Sequence, residues 1–426
     1  MQVLGPLTVL SCIIYLAFQR KDKRPAFLLI AVLFAIVAFS FQPLPTDDLT
    51  REYEKLRNIA DKGWNYFSIM TANLKGKNYT NSFEGLYVAQ LYYIIFSKLN
   101  VLNWFPAVTI FIDYFLEFKL LTKIQRRFEL TERDGFILFL MIVCCRETYN
   151  MMSGIRNYLA FTVFGYAIYE DIIEHRNRFL CFLIYIACAL MHPSAWILVA
   201  IRLVCFIPSR KVKNIVCVVS LLWGNLFNVI LTLLGRFSGI SLFNAVYVKM
   251  YSYINSESAY SSLSTASSRY LWYMASNLLI IVAVTTVFFS WKRYKNLNSN
   301  VVETCSFSRL NIKKGTLYIG KKPSFQYSAD DGLVAYEDIF YFSMFCLTLM
   351  IGALPYRIIF SRIGIMVRVI SIIPSAIMLD YYNRKDEWIK KHNIGILLIL
   401  ACAFKFVIMM WFCNRSMHFN LLGLYY

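Results

Sequence analysis

Residues 26–41 read AFLLIAVLFAIVAFSF and contain no charged side chain. Comparable apolar runs lie at residues 271–290 and 394–412. A helix that crosses the hydrocarbon core of a bilayer needs about 20 predominantly apolar residues, and these runs meet or approach that length. The whole chain is 58% hydrophobic and 16% charged, with a mean hydropathy of +0.52, which is far outside the range of a soluble domain. The sequence therefore predicts an all-α, polytopic integral membrane protein.

The net charge of +19 does not indicate a nucleic-acid partner. The basic residues cluster between the apolar runs, where the cytoplasmic loops of membrane proteins are basic in any case. Most of the 11 cysteines lie inside apolar runs, with no CxxC motif and no Cys/His pair at metal-ligand spacing. We therefore interpret the cysteines as small core residues rather than as a metal site.

The basic clusters also orient the chain, because loops on the cytoplasmic side carry an excess of Lys and Arg. With these clusters on the inside, the sequence predicts about twelve transmembrane helices and an N-terminus on the outside. Residues 1–18 lack the basic region and the cleavage site of a leader, so we interpret them as the first span. The predicted spans are residues 2–19, 26–42, 103–121, 135–148, 155–172, 178–191, 194–208, 214–234, 271–291, 336–354, 363–381 and 393–412.

One segment, residues 85–99, does not fit this count. It is apolar enough to enter the membrane, but a full crossing would invert everything on one side of it, so we predict a re-entrant or interfacial helix. The same topology places residues 43–84 and 235–270 in loops on the outer side, and residues 296–335 in a cytoplasmic loop. All 426 residues then belong to a single transmembrane domain.

Several charged side chains stand alone at the ends of apolar runs. A charge close to bilayer hydrocarbon is costly and is usually retained for a partner, a pathway or a site. Five such arginines indicate an anionic ligand: Arg156, Arg269, Arg357, Arg362 and Arg368. The predicted topology places the following residues at the outer ends of spans: Asp47, Asp48, Glu84, Arg146, Glu147, Arg156, His192, Arg269, Arg357 and Arg362.

Two neighbouring predicted helices are too short for the membrane. Residues 178–191 form a helix of about 21 Å at 1.5 Å per residue, against a hydrocarbon core of about 30 Å, and residues 194–208 are equally short. The turn at residues 191–194 should then lie below the outer surface, where irregular backbone requires protein or a water-filled cavity around it. Residues 135–145 are also short before Arg146 interrupts them, so we predict a cavity open to the outer side.

Arg156 lies in the segment SGIRNYLA, residues 153–160. Ser153 is a plausible N-cap, which would place Arg156 in the first turn of the next helix. Backbone donors at a helix N-terminus favour an anion, and a guanidinium adds a two-pronged donor that suits phosphate. We interpret Arg156 as an anion contact; the alternative is an arginine that snorkels to the membrane interface.

A later helix carries three more of these arginines. Pro355 can serve as its first residue, since proline suits that position. Arg357 and Arg368 are close to three turns apart and would point the same way, about 16 Å from each other on a straight helix. These two could grip successive parts of a long anion, while Arg362 points elsewhere; pairing with Asp or Glu is the alternative.

Candidates for acid–base chemistry are fewer. His192, beside Pro193 at the predicted cavity floor, is either catalytic or a structural histidine. Asp47 and Asp48 are either functional or caps of a helix that begins near Leu49. Arg202 and Lys405 lie deeper in spans, where we expect internal pairing.

At these residues the chain resembles the EpsG and Wzy group of bacterial polysaccharide polymerases. The resemblance spans most of the chain and rests on motifs in a shared order. These are Asp47, Asp48 and Tyr53 in the first outer loop, FEGLY at residues 83–87, SGIRNYLA at residues 153–160, HPS at residues 192–194, and a late helix with Arg357 and Arg362. The chain departs from the family at Asn157, where glutamine often follows the arginine, and at Gly85, where proline commonly follows the glutamate.

The resemblance implies a GT-C-like glycosyltransferase of the bacterial inner membrane, with its site facing the periplasm and no metal or other cofactor. Its partner would be an undecaprenyl-pyrophosphate-linked oligosaccharide in the membrane lipid, with a chain-length regulator protein as a further possible partner. The growing chain would move from its carrier to a new repeat unit. Arg156 would then bind pyrophosphate with Arg357 or Arg362, and Arg269 is a further candidate. His192, Asp48 and Glu84 are the candidate catalytic bases.

Three other classes share some of these features. An O-antigen ligase uses the same donor, but usually has a larger outer loop that is rich in basic residues and histidine. A lipid-linked oligosaccharide flippase should show basic residues at several depths and repeated halves, neither of which is evident. A membrane acyltransferase would also use histidine and arginine, with further polar residues early in the chain.

Overall fold

The computed structural model describes residues 22–43, 45, 47–74, 83, 85–99, 101–146, 148–236, 275–279, 329–354, 356–384 and 388–413. Throughout these ranges the regular structure is helical, with no β-strand, which confirms the predicted all-α class. A π-helical turn, Tyr169–Ile173, directly follows the α-helix that ends at Ile168. The helices are α1 (Arg24–Phe39), α2 (Asp48–Lys62), α3 (Asn65–Leu74), α4 (Tyr87–Ser97), α5 (Trp104–Arg127), α6 (Glu132–Cys145), α7 (Thr148–Ser153), α8 (Ile155–Ile168), α9 (Arg178–Met191), α10 (Ala195–Cys205), α11 (Arg210–Arg236), α12 (Ala329–Gly352), α13 (Arg357–Arg384) and α14 (Trp388–Cys413).

Local capping explains where α6 and α9 begin. Thr131 and Asp134 form a capping box, in which the Thr131 hydroxyl accepts the Asp134 N–H at 3.3 Å and the Asp134 carboxylate accepts the Thr131 N–H at 3.2 Å. The Asn177 side-chain oxygen accepts the N–H groups of Phe179 and Leu180 at 3.0 and 3.4 Å. Because each cap satisfies donors that a helix start leaves free, both starts are set by neighbouring residues.

The short helices predicted near the outer side are present. α9 has 14 residues and α10 has 11, about 21 Å and 16 Å at 1.5 Å per residue. α6 ends at Cys145 after 14 residues, immediately before Arg146, as the sequence indicates. α4 has 11 residues, about 16 Å at 1.5 Å per residue, and the prediction of a re-entrant or interfacial helix at residues 85–99 stays a prediction.

Within the described ranges, one helix is both long enough and apolar enough to cross a bilayer. Residues Ile359–Asp380 of α13 form a 22-residue stretch that is long and apolar enough to cross a bilayer. Residues 1–21 and most of residues 237–328, which include the first and ninth predicted spans, lie outside the described part of the chain. The count of twelve spans therefore stays a prediction, as do the three loop assignments.

Aromatic stacking fixes the helices that lead to Arg156. Phe34 of α1 stacks on Tyr114 of α5 with 4.1 Å between ring centroids, and Phe27 stacks on Phe118 at 5.1 Å. The Tyr114 hydroxyl is 2.7 Å from the Thr148 hydroxyl at the start of α7. Because α7 runs directly into α8, this contact ties the N-terminus of α8 to the α1–α5 pair.

Arg202 joins three segments on the predicted inner side. Its side chain is 1% exposed, and it donates to the Asp171 carboxylate at 2.8 Å and to the Asp338 carboxylate at 2.9 Å. Its guanidinium carbon also lies 4.2 Å from the centre of the Phe206 ring. This arrangement confirms that Arg202 is an internal pairing partner, and it links α10 to the π-helical turn and to α12.

Candidate functional site

The backbone at the start of α8 places Arg156 in a first helical turn, as predicted, but the cap differs from the prediction. Ser153 is the last residue of α7, and Gly154 is the N-cap of α8. The Gly154 N–H donates to the Asn150 carbonyl at 2.7 Å, which completes α7, while the Gly154 carbonyl accepts the Asn157 N–H at 3.0 Å. The prediction of Ser153 as the cap was wrong because that residue is used by the preceding helix.

The Arg156 guanidinium lies against aromatic rings from the predicted outer loop and from α4. Its central carbon is 4.8 Å from the centre of the Phe83 ring and 5.8 Å from the centre of the Tyr93 ring. The Phe83 ring packs edge-on against Tyr93 at 4.8 Å and against Phe67 at 5.2 Å. A cation over an aromatic face is stabilised by the ring quadrupole, so the rings hold the arginine in a defined place.

Glu52 supplies the carboxylate of this cluster. It is buried on α2, where its Oε2 accepts the Tyr93 hydroxyl at 2.5 Å and its Oε1 accepts the Lys55 ammonium at 3.0 Å. Burial alone would raise the pKa of Glu52, but the positive charges of Arg156 and Lys55 and the Tyr93 hydrogen bond outweigh it and lower that pKa below its ordinary value. Glu52 is therefore ionised at neutral pH.

Two cations share this one carboxylate. The Lys55 ammonium lies 5.5 Å from the centre of the Phe83 ring, on which Arg156 also packs. Burial and the Arg156 charge lower the pKa of Lys55, and the Glu52 charge only partly opposes them. Arg156, Lys55 and Glu52 together carry one excess positive charge, which favours an anionic ligand.

Glu52, Lys55 and Tyr93 were not predicted as site residues. One signal in the sequence could have identified Glu52. Leu49, Glu52 and Leu56 recur at i, i+3 and i+7, so the acid lies on the apolar, core-facing stripe of an otherwise polar amphipathic helix. A charged residue on such a stripe requires a partner. The identity of the partner of Glu52 depends on the tertiary packing of α2 against α4, which no local sequence pattern predicts.

His192 is buried in the turn that the sequence indicated. Its ring lies edge-on to Phe161 with 6.1 Å between centroids, and its Nδ1 accepts the Ser194 N–H at 3.3 Å. An Nδ1 that accepts leaves the hydrogen of a neutral imidazole on Nε2. With the hydrogen on Nε2, this atom could act as a base only in the opposite tautomer. Its catalytic role stays a prediction.

The structure describes one of the other two predicted catalytic acids, Asp48. Asp48 is exposed and forms an ion pair with Arg51, one turn along α2. The helix that the sequence placed near Leu49 does begin here, at Asp48, with Asp47 in the N-cap position but without a side-chain capping bond. Glu84 lies outside the described residues. The roles of Asp48 and Glu84 stay predictions.

The late arginine-bearing helix is confirmed, with a different start. α13 begins at Arg357 rather than at Pro355, which lies outside the described residues. Arg362 is half-buried on this helix, and only the backbone of Arg357 is described. Arg269 also lies outside the described residues. The contribution of these three arginines to a pyrophosphate site stays a prediction.

A second charged centre is buried among the helices. Arg146 forms an ion pair with Glu117 of α5 and donates to the Thr162 hydroxyl at 3.1 Å. Arg146 and Glu117 line a cavity of about 10 Å³ together with Arg368 of α13. Within the described ranges, Glu117 Oε2 and Arg146 Nη1 have no hydrogen-bond partner, and the cavity has room for about one water that could bridge them.

Lys405 and Arg368 pair with an amide next to this centre. The Asn277 Oδ1 atom accepts the Arg368 guanidinium at 2.6 Å and the Lys405 ammonium at 2.7 Å. Lys405 is therefore an internal pairing partner, as predicted. Both cations are buried, as is Arg146, whereas Arg156 is only partly buried and lies at a helix start. The Arg156 cluster is thus the more accessible cationic site.

No metal site is evident in the part of the chain that the structure describes. There, no group of three or more His, Cys, Asp or Glu side chains is arranged to hold a metal ion. The chemistry of the Arg156 cluster is that of two cations, one carboxylate and one phenol, which suits binding of an anion and transfer of a proton.

The chain is strongly apolar, and the regular structure of its described residues is helical, so the class of this protein is defined: it is an α-helical membrane protein. The chain belongs to the EpsG family, whose family model matches residues 23–421. This family has polysaccharide polymerase-like functions and glycosyltransferase-like activity. Neither the curated proteins nor the solved structures gave a match to the chain.

Proposed function

We propose that this protein is a polysaccharide polymerase of the O-antigen type. It transfers a growing glycan from undecaprenyl pyrophosphate to a new lipid-linked repeat unit. The protein is a GT-C-like enzyme of the bacterial inner membrane and acts at the periplasmic face. Its partners are the lipid-linked oligosaccharide, the surrounding membrane lipid and a chain-length regulator protein. The reaction requires no metal in this proposal.

The observation that carries the proposal is the position of Arg156. Its guanidinium is fixed against the Phe83 and Tyr93 rings, in the first turn of α8, where backbone N–H groups also favour an anion. Lys55 adds a second cation to the same cluster. A pyrophosphate leaving group gains negative charge as its bond to the sugar breaks, and prepositioned cations stabilise that charge.

Glu52 is the proposed general base. The acceptor hydroxyl gives its proton to Glu52 as its oxygen bonds to the anomeric carbon, and the bond from that carbon to the pyrophosphate oxygen breaks. The products are the extended glycan on the acceptor carrier and undecaprenyl pyrophosphate. A pyrophosphate on Arg156 would offset the charge that now lowers the pKa of Glu52, so substrate binding would make Glu52 a stronger base.

Purified protein in liposomes, supplied with lipid-linked repeat units, is expected to form a ladder of longer glycans and to release undecaprenyl pyrophosphate. Glu52→Gln should lower the rate by about 100-fold or more, because general base catalysis contributes about that much or more. Since the pKa of Glu52 is lowered in the free protein, the wild-type kcat/KM should fall only as pH drops below the ordinary carboxyl range, and this acidic limb should be absent in the variant.

Glu54→Gln is the matched control, because Glu54 is an exposed acid on the same helix and the substitution is the same. It should retain the wild-type rate. A wild-type rate for Glu52→Gln would contradict the assignment of the base, and the absence of a ladder from the wild-type protein would contradict the polymerase assignment itself.

A further inference from the structure

An exposed indole lies close to the Arg156 cluster. Trp64 lies two residues after the end of α2, and 54% of its surface is exposed. Gly63, between them, has a φ of +56°, a left-handed conformation that glycine adopts without strain. This turn ends α2 and directs the chain into α3, and it leaves the tryptophan outside the core that α2 buries with Leu56 and Ile59.

A series of ring contacts connects Trp64 to Arg156. The Trp64 ring lies 5.9 Å from the Phe67 ring, Phe67 lies 5.2 Å from Phe83, and Phe83 carries the Arg156 guanidinium at 4.8 Å. Phe67 and Phe83 are buried. Trp64 is therefore the member of this series that presents a ring to a ligand, at a fixed position relative to the proposed pyrophosphate contact.

The surroundings of Trp64 are polar. Asp61, Lys62 and Asn65 are all exposed beside it. A pyranose ring has an apolar face of C–H groups and an edge of hydroxyl groups. An indole packs against that face by dispersion and apolar burial, while neighbouring carboxylate, ammonium and amide groups can bond to the hydroxyls. Trp64 and its neighbours supply both kinds of contact.

We propose that Trp64 forms a glycan subsite, at which a hexose ring of the lipid-linked oligosaccharide stacks on the indole while its pyrophosphate lies at Arg156. This inference rests on the proposed function and adds the part of the substrate that is recognised next to the pyrophosphate. The alternative is that Trp64 only anchors the helix at the membrane interface, where tryptophan is common.

Substitution separates these two roles. Trp64→Leu keeps an apolar side chain but removes the flat ring, so it should raise the KM for the lipid-linked repeat about 10-fold and shorten the products. Trp64→Phe keeps a ring and should stay within about threefold of wild type. Trp104→Leu is the matched control, since Trp104 is also exposed, at 49%, and its ring packs on Phe39 of α1.

A binding measurement makes the test independent of turnover. Lipid-free oligosaccharides, prepared by partial hydrolysis of the host's own polysaccharide, should bind the purified protein and lose about 10-fold in affinity with Trp64→Leu. Arg156→Ala should leave this binding unchanged, because these oligosaccharides carry no pyrophosphate. The binding measurement therefore tests the Trp64 subsite separately from the pyrophosphate assignment. The subsite would be overturned if Trp64→Leu had the wild-type KM and the wild-type affinity for the oligosaccharide. It would also be overturned if Trp104→Leu lost as much affinity as Trp64→Leu.

Discussion

Replacing Arg156 by alanine is expected to lower the rate of polymerisation by about 100- to 1,000-fold, the typical loss when one prepositioned donor to a developing negative charge is removed. The protein should still fold and insert, because the guanidinium lies on the faces of two rings and not in the centre of the core. Arg156→Lys should recover part of the rate, since lysine restores the charge but not the two-pronged geometry. The measurement is the rate of glycan extension in liposomes.

Arg51→Ala provides the control for this prediction. Arg51 is an exposed arginine on α2, paired with Asp48, and belongs to the same predicted outer region. Its loss should change the rate less than twofold. If Arg156→Ala extended glycans at the wild-type rate, or if Arg51→Ala lost as much activity, the cationic cluster would not be the pyrophosphate site.

The buried pair of Arg146 and Glu117 is expected to dominate stability. Removing one partner leaves an unpaired charge inside the helices, so Arg146→Ala or Glu117→Ala should each destabilise the protein by about 3–5 kcal/mol. Replacing both residues with apolar side chains of similar volume, Arg146→Met with Glu117→Leu, and neutralising the nearby buried Asp113 as asparagine, should restore most of that loss. Thermal unfolding of the detergent-solubilised protein measures all three variants.

The control for the buried pair is an exposed one. Arg210 and Glu337 form an ion pair in which Arg210 is largely exposed, and such pairs contribute about 0–1 kcal/mol. Arg210→Ala should therefore leave the unfolding temperature nearly unchanged. If Arg146→Ala or Glu117→Ala were as stable as wild type, the remaining buried charge would have to be compensated by other residues, which would contradict the prediction.

Features that depend on neighbouring residues were predictable from the sequence. The short lengths of α9, α10 and α6, and the place of Arg156 in a first helical turn, follow from runs of apolar residues and the points where polar residues interrupt them. The exact caps were less predictable. Ser153 suits an N-cap, but it also suits the end of the short helix before Gly154, and only the backbone hydrogen bonds decide between the two.

Long-range pairing could not be predicted. The family motif drew attention to Asp48, whereas packing of α2 against α4 brings Glu52 to Tyr93, 41 positions along the chain. In the same way, Arg146 stands out in the sequence as a charge that interrupts an apolar run, but nothing local identifies Glu117 as its partner. Charged residues inside apolar stripes indicate that partners exist, and the tertiary packing determines which residues they are.

The most direct test of polymerase function is electrophoresis of lipopolysaccharide from a strain that lacks this protein. The predicted result is lipid A-core that carries a single repeat unit, with the full ladder restored by the wild-type protein but not by Arg156→Ala. Core without any repeat, together with polymer on the lipid carrier, would indicate a ligase, and unpolymerised units retained on the inner side would indicate a flippase. Either of these results, or an unchanged ladder in the deletion strain, would contradict a polymerase.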